Sequence, residues 1–441
     1  MKKKVLILLF FTFIINFSSH GQWTVQTLSG TRTDMAAASG GDKAIFAGGI
    51  GFISIPPPAF DMYNYHLTTW TSGSISRGRS RLAGASCGTK ILFAGGANDD
   101  ILSVNDEVDI YNGLTSSWTT ATISRPRCKL AAAGAGSKVL FAGGAFDNGS
   151  LPPQSYDAVD IYDTLTQVWT TSGLSVPRHS LAGAGAGNKI LFAGGVNTNG
   201  VYFKTVDIYD VTTGTWSLDS LSQPRSNCVA TSAGNKIYIA GGLTTGNVTS
   251  KVVDIYDVTT NTWTVDSLSL ERADLGAASV GNFVIFAGGR KQSTVYNNVD
   301  ILDTATGTWT TSTLTTARSN APATSIGNMF IIGGGSGSNG FPVGTAEIFT
   351  VLPNSIKGFS NQSTFSIFPN PVAEKLNIKL LNTISNGHLE ISDAVGKIVY
   401  QQKLDKTGKI ISVSTIDFPG GVYFVKVTDG NISMSSKFLI N

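Results

Sequence analysis

Charge is scarce in this chain. Asp, Glu, Lys and Arg make up 14% of 441 residues, and the formal net charge of +3 includes Lys2, Lys3 and Lys4 at the N-terminus. The rest is close to neutral, which excludes the basic field that binds nucleic acid, so no nucleic-acid partner is expected. Cysteine is scarcer still: Cys87, Cys128 and Cys228 have no framework spacing and are expected on the inner strands of three different repeats. That excludes a disulfide scaffold and leaves buried free thiols as the expected state. No apolar run is long enough to cross a bilayer as a helix. The stretch from Val5 to Phe17, between a lysine-rich start and Ser18-Ser-His-Gly21, reads instead as a secretory signal peptide over residues 1–21, cleaved before Gln22. Helical periodicity is also missing; the apolar segments are short and separated by turn residues.

What the chain has in abundance is repetition. Trp23, Trp70, Trp118, Trp169, Trp216, Trp263 and Trp309 are each followed nine residues later by an arginine: Arg32, Arg79, Arg127, Arg178, Arg225, Arg272 and Arg318. Sixteen residues beyond each arginine a glycine pair opens, at Gly48, Gly95, Gly143, Gly194, Gly241, Gly288 and Gly334. A period of 46 to 51 residues held this strictly implies units that bury their apolar faces against one another. Each unit carries four strand-like segments, as in Leu181 to Ala186, Lys189 to Ala193, Val206-Asp-Ile-Tyr209 and Gly214-Thr-Trp-Ser217. The first segment is built of small residues in every copy, such as Met35-Ala-Ala-Ala38 and Leu82-Ala-Gly-Ala85, which suits strands crowded around a central axis. The Trp segment is then outermost.

An acid stands nine residues before each later Trp, at Asp61, Asp109, Asp160, Asp207, Asp254 and Asp300, and Glu347 takes the place in the last copy. Seven arginines matched by seven acids predict one buried ion pair per unit, because an unpaired buried charge is costly. The last copy has an acid but no Trp, while Trp23 has no acid before it. The N-terminal segment is therefore expected to supply the outer strand of the last unit. The expected fold is an all-β, seven-bladed propeller over residues 22–350.

Gly-Gly, the aromatic after an acid in Val-Asp-Ile-Tyr, the Trp and the Pro-Arg at Arg127, Arg178 and Arg225 together resemble the kelch repeat of the galactose oxidase and kelch superfamily. Leu302 and Phe349 depart from the pattern by replacing the Tyr. The resemblance implies a kelch-type propeller, a fold that hosts binding modules and a few enzymes. After a polar linker over 351–364, the segment 365–441 reads as a small Ig-like β-sandwich. Its motifs, Phe365-Ser-Ile-Phe-Pro-Asn-Pro-Val372, Asp393-Ala-Val-Gly-Lys397 and Gly420-Gly-Val-Tyr-Phe-Val-Lys-Val427, resemble the type A C-terminal sorting domain of the type IX secretion system of Bacteroidetes. That resemblance implies passage through the periplasm, engagement of an outer-membrane translocon by residues 365–441, and release or display at the cell surface.

Antiparallel strand order places the loops entering the first strand and leaving the second on one face, and length variation is concentrated there. Two residues past each arginine the side chain is polar but not uniform: Asp34, Arg81, Lys129, Ser180, Asn227, Asp274 and Asn320. These residues suit the mouth of a central channel, as ligand contacts or simply as solvated groups. Around them the variable loops carry Phe52, Tyr156, Tyr202, Phe203 and Tyr296, either to contact a ligand or to pack over the blade edges. The ligand-binding candidates are thus Asp34, Arg81, Lys129, Asn227, Asp274, Asn320 and these five aromatics.

No catalytic residue, metal or cofactor is expected. The copper radical oxidases of the superfamily need two His, two Tyr and a Cys, whereas His66 and His179 stand at unlike positions of different repeats. Asp99, Asp100, Asp106 and Glu107 lack a calcium-loop spacing. The expectation is a secreted or surface-displayed monomer that binds an extracellular glycan or protein. The alternative is a metal-independent, sugar-active enzyme resembling the sialic acid mutarotases, using Asp34 or Asp274 beside Arg81.

Overall fold

The second segment of each repeat is apolar on both sides, so it must be covered on both sides. In the computed structural model it is a strand buried past its first residue in every copy, from Lys43–Ala47 to Met329–Gly333. The structure describes residues 21–52, 56–98, 103–147, 154–351, 365–380, 387–394, 396–404, 410–429 and 432–440. The stretch expected to be a signal peptide, up to residue 20, Asp99, Asp100 and nearly all of the expected linker lie outside these residues.

Each repeat forms a four-stranded antiparallel sheet, and there are seven such sheets among the described residues before residue 352. In the fourth, Ala182–Ala186, Lys189–Ala193, Thr205–Asp210 and Thr215–Ser220 run in sequence order, with Ala184 opposite Leu191, Leu191 opposite Ile208 and Ile208 opposite Ser217. Inner strands of Ala and Gly leave room for close approach, and the exposed outer strand keeps only its Trp half-buried. Several of these Trp residues tie blade to blade. Trp216 Nε1 donates to Ser172 Oγ at 2.9 Å, Trp263 to Asp219 at 2.8 Å and Trp309 to Asp266 at 2.7 Å, each on the preceding outer strand.

Gly21–Thr27 pairs antiparallel with Thr345–Val351, from Gly21 opposite Val351 to Thr27 opposite Thr345. It is the outer strand of the seventh sheet. Trp23 lies 5.1 Å from Phe349, centroid to centroid, and donates to Ser312 Oγ of blade six at 3.0 Å. Blade one packs on blade seven through Ala44, Phe46 and Tyr63 against Ile326, Ile331 and Ile348.

The seven arginines are almost completely buried, at 0 to 1% exposure, and each meets the acid of its own blade. Arg79 reaches Asp109 at 2.5 Å, Arg127 Asp160 at 2.6 Å, Arg178 Asp207 at 2.7 Å and Arg318 Glu347 at 2.8 Å; Arg32 with Asp61, Arg225 with Asp254 and Arg272 with Asp300 complete the set. Burial pulls the Arg178 guanidinium below its ordinary value while Asp207 pushes it back up. The guanidinium also bonds the carbonyls of Phe192, Gly194 and Val176. The second carboxylate oxygen caps the loop arriving from the previous outer strand: Asp207 Oδ1 accepts Ser175 N–H at 2.8 Å, as Asp61 does from Ser29 and Asp109 from Ser76. Losing one member of so buried a pair costs about 3–5 kcal/mol, which makes these residues blade-building and closes them to ligand.

The glycine pairs have a related task. Gly49 N–H donates to Arg79 O, Gly96 to Arg127 O and, across the seam, Gly335 to Arg32 O, all at 2.9 Å. Both glycines of a pair have positive φ, and a Cβ on Gly48 would stand 2.4 Å from Arg79 O, so a side chain there would separate the blades.

Residues Met1–Leu352 form one compact unit and Pro353–Asn441 another. In the second, a three-stranded sheet of Phe365–Phe368, Lys375–Leu380 and Ile410–Ser414 and a four-stranded sheet of Ile398–Leu404, Gly387–Asp393, Gly421–Asp429 and Ile432–Ile440 share a core of Leu376, Ile378, Leu389, Ile391, Val425 and Phe438. Alternation supplies one buried face per strand, as in Lys375–Leu380.

Removing residues 22–27 should expose the third strand of the seventh sheet, lower the melting temperature well below that of the intact propeller, and increase light scattering on heating. A melting curve identical to the parent's would overturn the closing role of that strand.

Candidate functional site

The residue two beyond each buried arginine adopts a left-handed backbone: φ is 55° at Asp34, Arg81 and Lys129, 54° at Ser180, 51° at Asn227, 56° at Asp274 and 50° at Asn320. This conformation turns the peptide so that each ring residue bonds the next around the axis. Arg81 N–H donates to Asp34 O at 2.9 Å, Lys129 to Arg81, Ser180 to Lys129, Asn227 to Ser180, Asp274 to Asn227, and Asn320 to Asp274 at 3.0 Å. Asn and Asp tolerate the left-handed region best, which gives a backbone reason for their use at four of the seven positions. Arg81, Lys129 and Ser180 bear the extra cost of that region.

All seven side chains line one mouth cavity of about 330 Å³. Beneath them a collar that includes Leu82, Leu130, Leu181 and Leu275 narrows the channel, and below it the Ala and Gly of the inner strands line a second cavity of about 290 Å³. The sequence segments Met35 to Ala38 and Leu82 to Ala85 therefore hold two structures in succession, collar and then strand. The strands start late, at Ala36–Gly40 and Ala83–Cys87, because the left-handed residue must come first. The same delay corrects the placement of two cysteines: Cys87 ends an inner strand, but Cys128 and Cys228 precede theirs. All three are free thiols.

Charge at the mouth links adjacent blades. Arg81 Nη1 and Lys129 Nζ both reach Asp147 Oδ2, at 3.2 and 2.7 Å. Asp274 accepts Asn227 Nδ2 at 2.8 Å and Arg290 Nε at 2.7 Å. His179 is 7% exposed, with Nδ1 3.0 Å from Ser180 Oγ. Burial, reinforced by Lys129, lowers its pKa from 6.5 to about 4, so it is neutral at neutral pH. His66 lies in the turn between third and outer strands, at the other end of the blades, and does not join His179.

The loop aromatics divide into two groups. Phe52 is 72% exposed and lies tilted against Phe341 of blade seven, centroids 5.2 Å apart, while the Tyr202 hydroxyl donates to Asn247 Oδ1 of the next blade at 2.6 Å. Tyr156, Phe203 and Tyr296 are half-buried and occupy one equivalent position. Their carbonyls accept the backbone N–H of Arg178, Arg225 and Arg318 at 3.1, 3.0 and 3.1 Å. Counting back from the following Trp shows the equivalence, since each stands 13 residues before it. Asp147 and Arg290 are partners of mouth residues that sequence reasoning missed; Asp147 lies in a loop of variable length, where repeat spacing carries no signal, and Arg290 stands at the fixed position after the glycine pair, where other copies carry Ile50, Ala97, Ala145, Val196 and Leu243.

Residues 132–335 match the family model of the KLHDC2/KLHL20/DRC7 kelch-repeat domain, and seven four-stranded sheets joined at Arg, acid and Gly-Gly carry the same pattern through the rest of the unit. Residues 132–335 are a kelch-repeat domain. Residues 366–441 match the family model of the secretion system C-terminal sorting domain, so this kelch protein is exported through the type IX route to the cell surface or beyond. No curated protein matches the chain.

Two outcomes follow from these assignments. Between pH 6.5 and about 4 the unfolded chain protonates His179 while the folded kelch propeller does not. Stability therefore falls as pH drops through that window and the contribution levels off below it, by about 3 kcal/mol in all. His179→Gln should flatten this part of the profile in urea unfolding from pH 4 to 7; an unaltered slope would refute the assignment. A chain ending near Ser360 should fold with its propeller melting intact yet accumulate in the periplasm of a type IX host. Normal extracellular levels of that truncation, by immunoblot of cell fractions, would count against export through the sorting domain.

Proposed function

We propose that the kelch propeller is an extracellular binding module that takes a carbohydrate or a protein on the loop face, delivered there by residues 365–441 acting on the secretion machinery. The observation that carries this reading is the coincidence on one face of a concave polar mouth, lined by Asp34, Arg81, Lys129, Ser180, Asn227, Asp274 and Asn320, with the longest loops of the fold. The opposite face offers tight turns such as Asp210-Val-Thr-Thr-Gly214, capped by their own Asp. Ligands bind in concavities with a few convergent polar groups, and variable loops on a rigid scaffold supply specificity. Exposed Phe52 and Phe341 on the adjoining blades one and seven, with Tyr202 across the ring on blade four, provide the apolar rim that sugar rings or peptide side chains require. The sugar-active alternative has less support, because Asp274, one of its two acid-base candidates, is already held by Arg290 and Asn227.

Capture from a glycan array and from a surface-protein extract, using the mature protein, should yield a ligand. Arg81→Ala and Tyr202→Ala should each weaken its binding by about 1–3 kcal/mol with little effect on folding. Thr212→Ala, in a turn of the opposite face, should leave affinity unchanged. Equal affinity in both loop-face variants would move the site elsewhere on the molecule.

A further inference from the structure

The turns between third and outer strands lie at the end of the propeller away from the mouth, because each third strand starts beside a glycine pair and runs from there. Their sequences set blades one to three apart. Four residues before the Trp, blades four to six carry Thr212, Thr259 and Ala305, whereas blades two and three carry Leu114 and Leu165, and blade one places Leu67 one residue later. Among the described residues these are the three most exposed leucines, at 66% for Leu67, 81% for Leu114 and 80% for Leu165. Their backbone holds them out. Leu67 and Leu114 donate N–H to the side-chain oxygens of Asn64 and Asn112, both at 3.1 Å, and Leu165 donates to Asp163 Oδ1 at 2.8 Å.

The same three turns carry backbone strain. Two residues before the Trp each turn needs a left-handed residue, which blades four to six supply with Gly214, Asn261 and Gly307, the types that tolerate it. Blades one to three use Thr68 and Ser116, both at φ 53°, and Gln167 at 61°. Exposed leucine and a strained turn in the same place are two departures from local rules, the mark of a segment that answers to another demand. Charge divides the face in the same way. Asn64 and Asn112 stand where blades three to six have an Asp. Lys43 finds Asp42 instead, but Lys90, opposite Asn112, has among the described residues no counterpart to the ion pairs of Lys138 with Asp163 at 2.6 Å and Lys189 with Asp210 at 3.0 Å.

We propose that these three turns form an edge that attaches the propeller to a lipid surface: Leu67, Leu114 and Leu165 enter the boundary between headgroups and acyl chains, and Lys90 meets anionic headgroups. Leucine tips set one blade apart suit a bilayer, which admits each tip on its own, whereas a protein interface gathers its anchors into one packed patch. The charge left on Lys90 complements an anionic leaflet. The propeller's chain also ends on this side, where Val351 pairs with Gly21, so the strand that leads to the export signal finishes at the face that meets lipid. Attachment here leaves the mouth, at the other end of the strands, open to the surroundings. The inference is separate from the reading of the loop face and stands whatever that face binds.

The test is flotation of the full mature chain with vesicles of phosphatidylcholine mixed with phosphatidylglycerol, and of phosphatidylcholine alone. The parent should float with the mixed vesicles and less with the neutral ones. Leu114→Ser combined with Leu165→Ser should weaken partition into the mixed vesicles about tenfold. Lys90→Gln should weaken it about fivefold, and only where the anionic lipid is present. Leu218→Ser combined with Val265→Ser, on the exposed outer strands of blades four and five, should change nothing. A second readout does not rely on loss of binding: brominated lipid should quench the added fluorescence of Leu165→Trp and spare that of Leu218→Trp. The attachment is overturned if the parent floats with neither vesicle, if the leucine pair and the control pair behave alike, or if both added tryptophans are quenched equally. A dimer in sedimentation equilibrium that Leu114→Ser dissolves would give the face to a second copy, and a protein captured through Leu114 and Leu165 by a chain that binds no vesicles would give it to that protein; either result refutes the lipid assignment.

Discussion

One buried ion pair per blade holds the propeller in register. An arginine just ahead of the inner strand and a carboxylate on the third strand meet in a space with almost no access to water, and each then satisfies backbone groups around it. Arg178 ties together the second strand and its own loop, while Asp207 caps the connection from the previous blade. A buried pair of this kind contributes little net stability compared with apolar residues of the same volume, but losing one partner is severe. Its value lies in specificity: apolar inner strands of Ala and Gly would slide against one another, and a bonded guanidinium allows one register.

The mouth follows from that constraint. With the arginine fixed, the next residue bridges to the one after the glycine pair, and the residue after that must turn left-handed to begin the inner strand. Seven side chains are thereby aimed at one cavity whatever their identity, and the fold sets their position while leaving their chemistry open. The loops above are rooted at the same bridges: Arg290 is itself the bridging residue after its glycine pair and falls beside Asp274, and Asp147, two residues beyond its bridge, falls beside Lys129.

Repeated features were legible in the sequence and single ones were not. The Arg-to-acid pairing, the outer position of Trp23 on the last sheet, and the polar ring could be read because the spacing recurs seven times. The reason for Asn and Asp in the ring could not, since a left-handed φ leaves no periodic mark distinct from solvation. Tyr156, Phe203 and Tyr296 looked like scattered loop aromatics when counted from the glycine pair, whose distance varies; measured from the Trp they coincide. The contact of Asp147 with two blades at once depends on three-dimensional placement, which repeat spacing does not encode.

The closing strand has a consequence for the order of events in the cell. Gly21–Thr27 emerges first but finds its partner, Thr345–Val351, only after more than three hundred residues have followed. Until then the first and last blades each lack a neighbour. The address for export is written after that partner, within 366–441. A chain broken off before the ring can be completed thus carries no ticket for the outer membrane, and the placement of the two elements works as a checkpoint on integrity that needs no separate inspector.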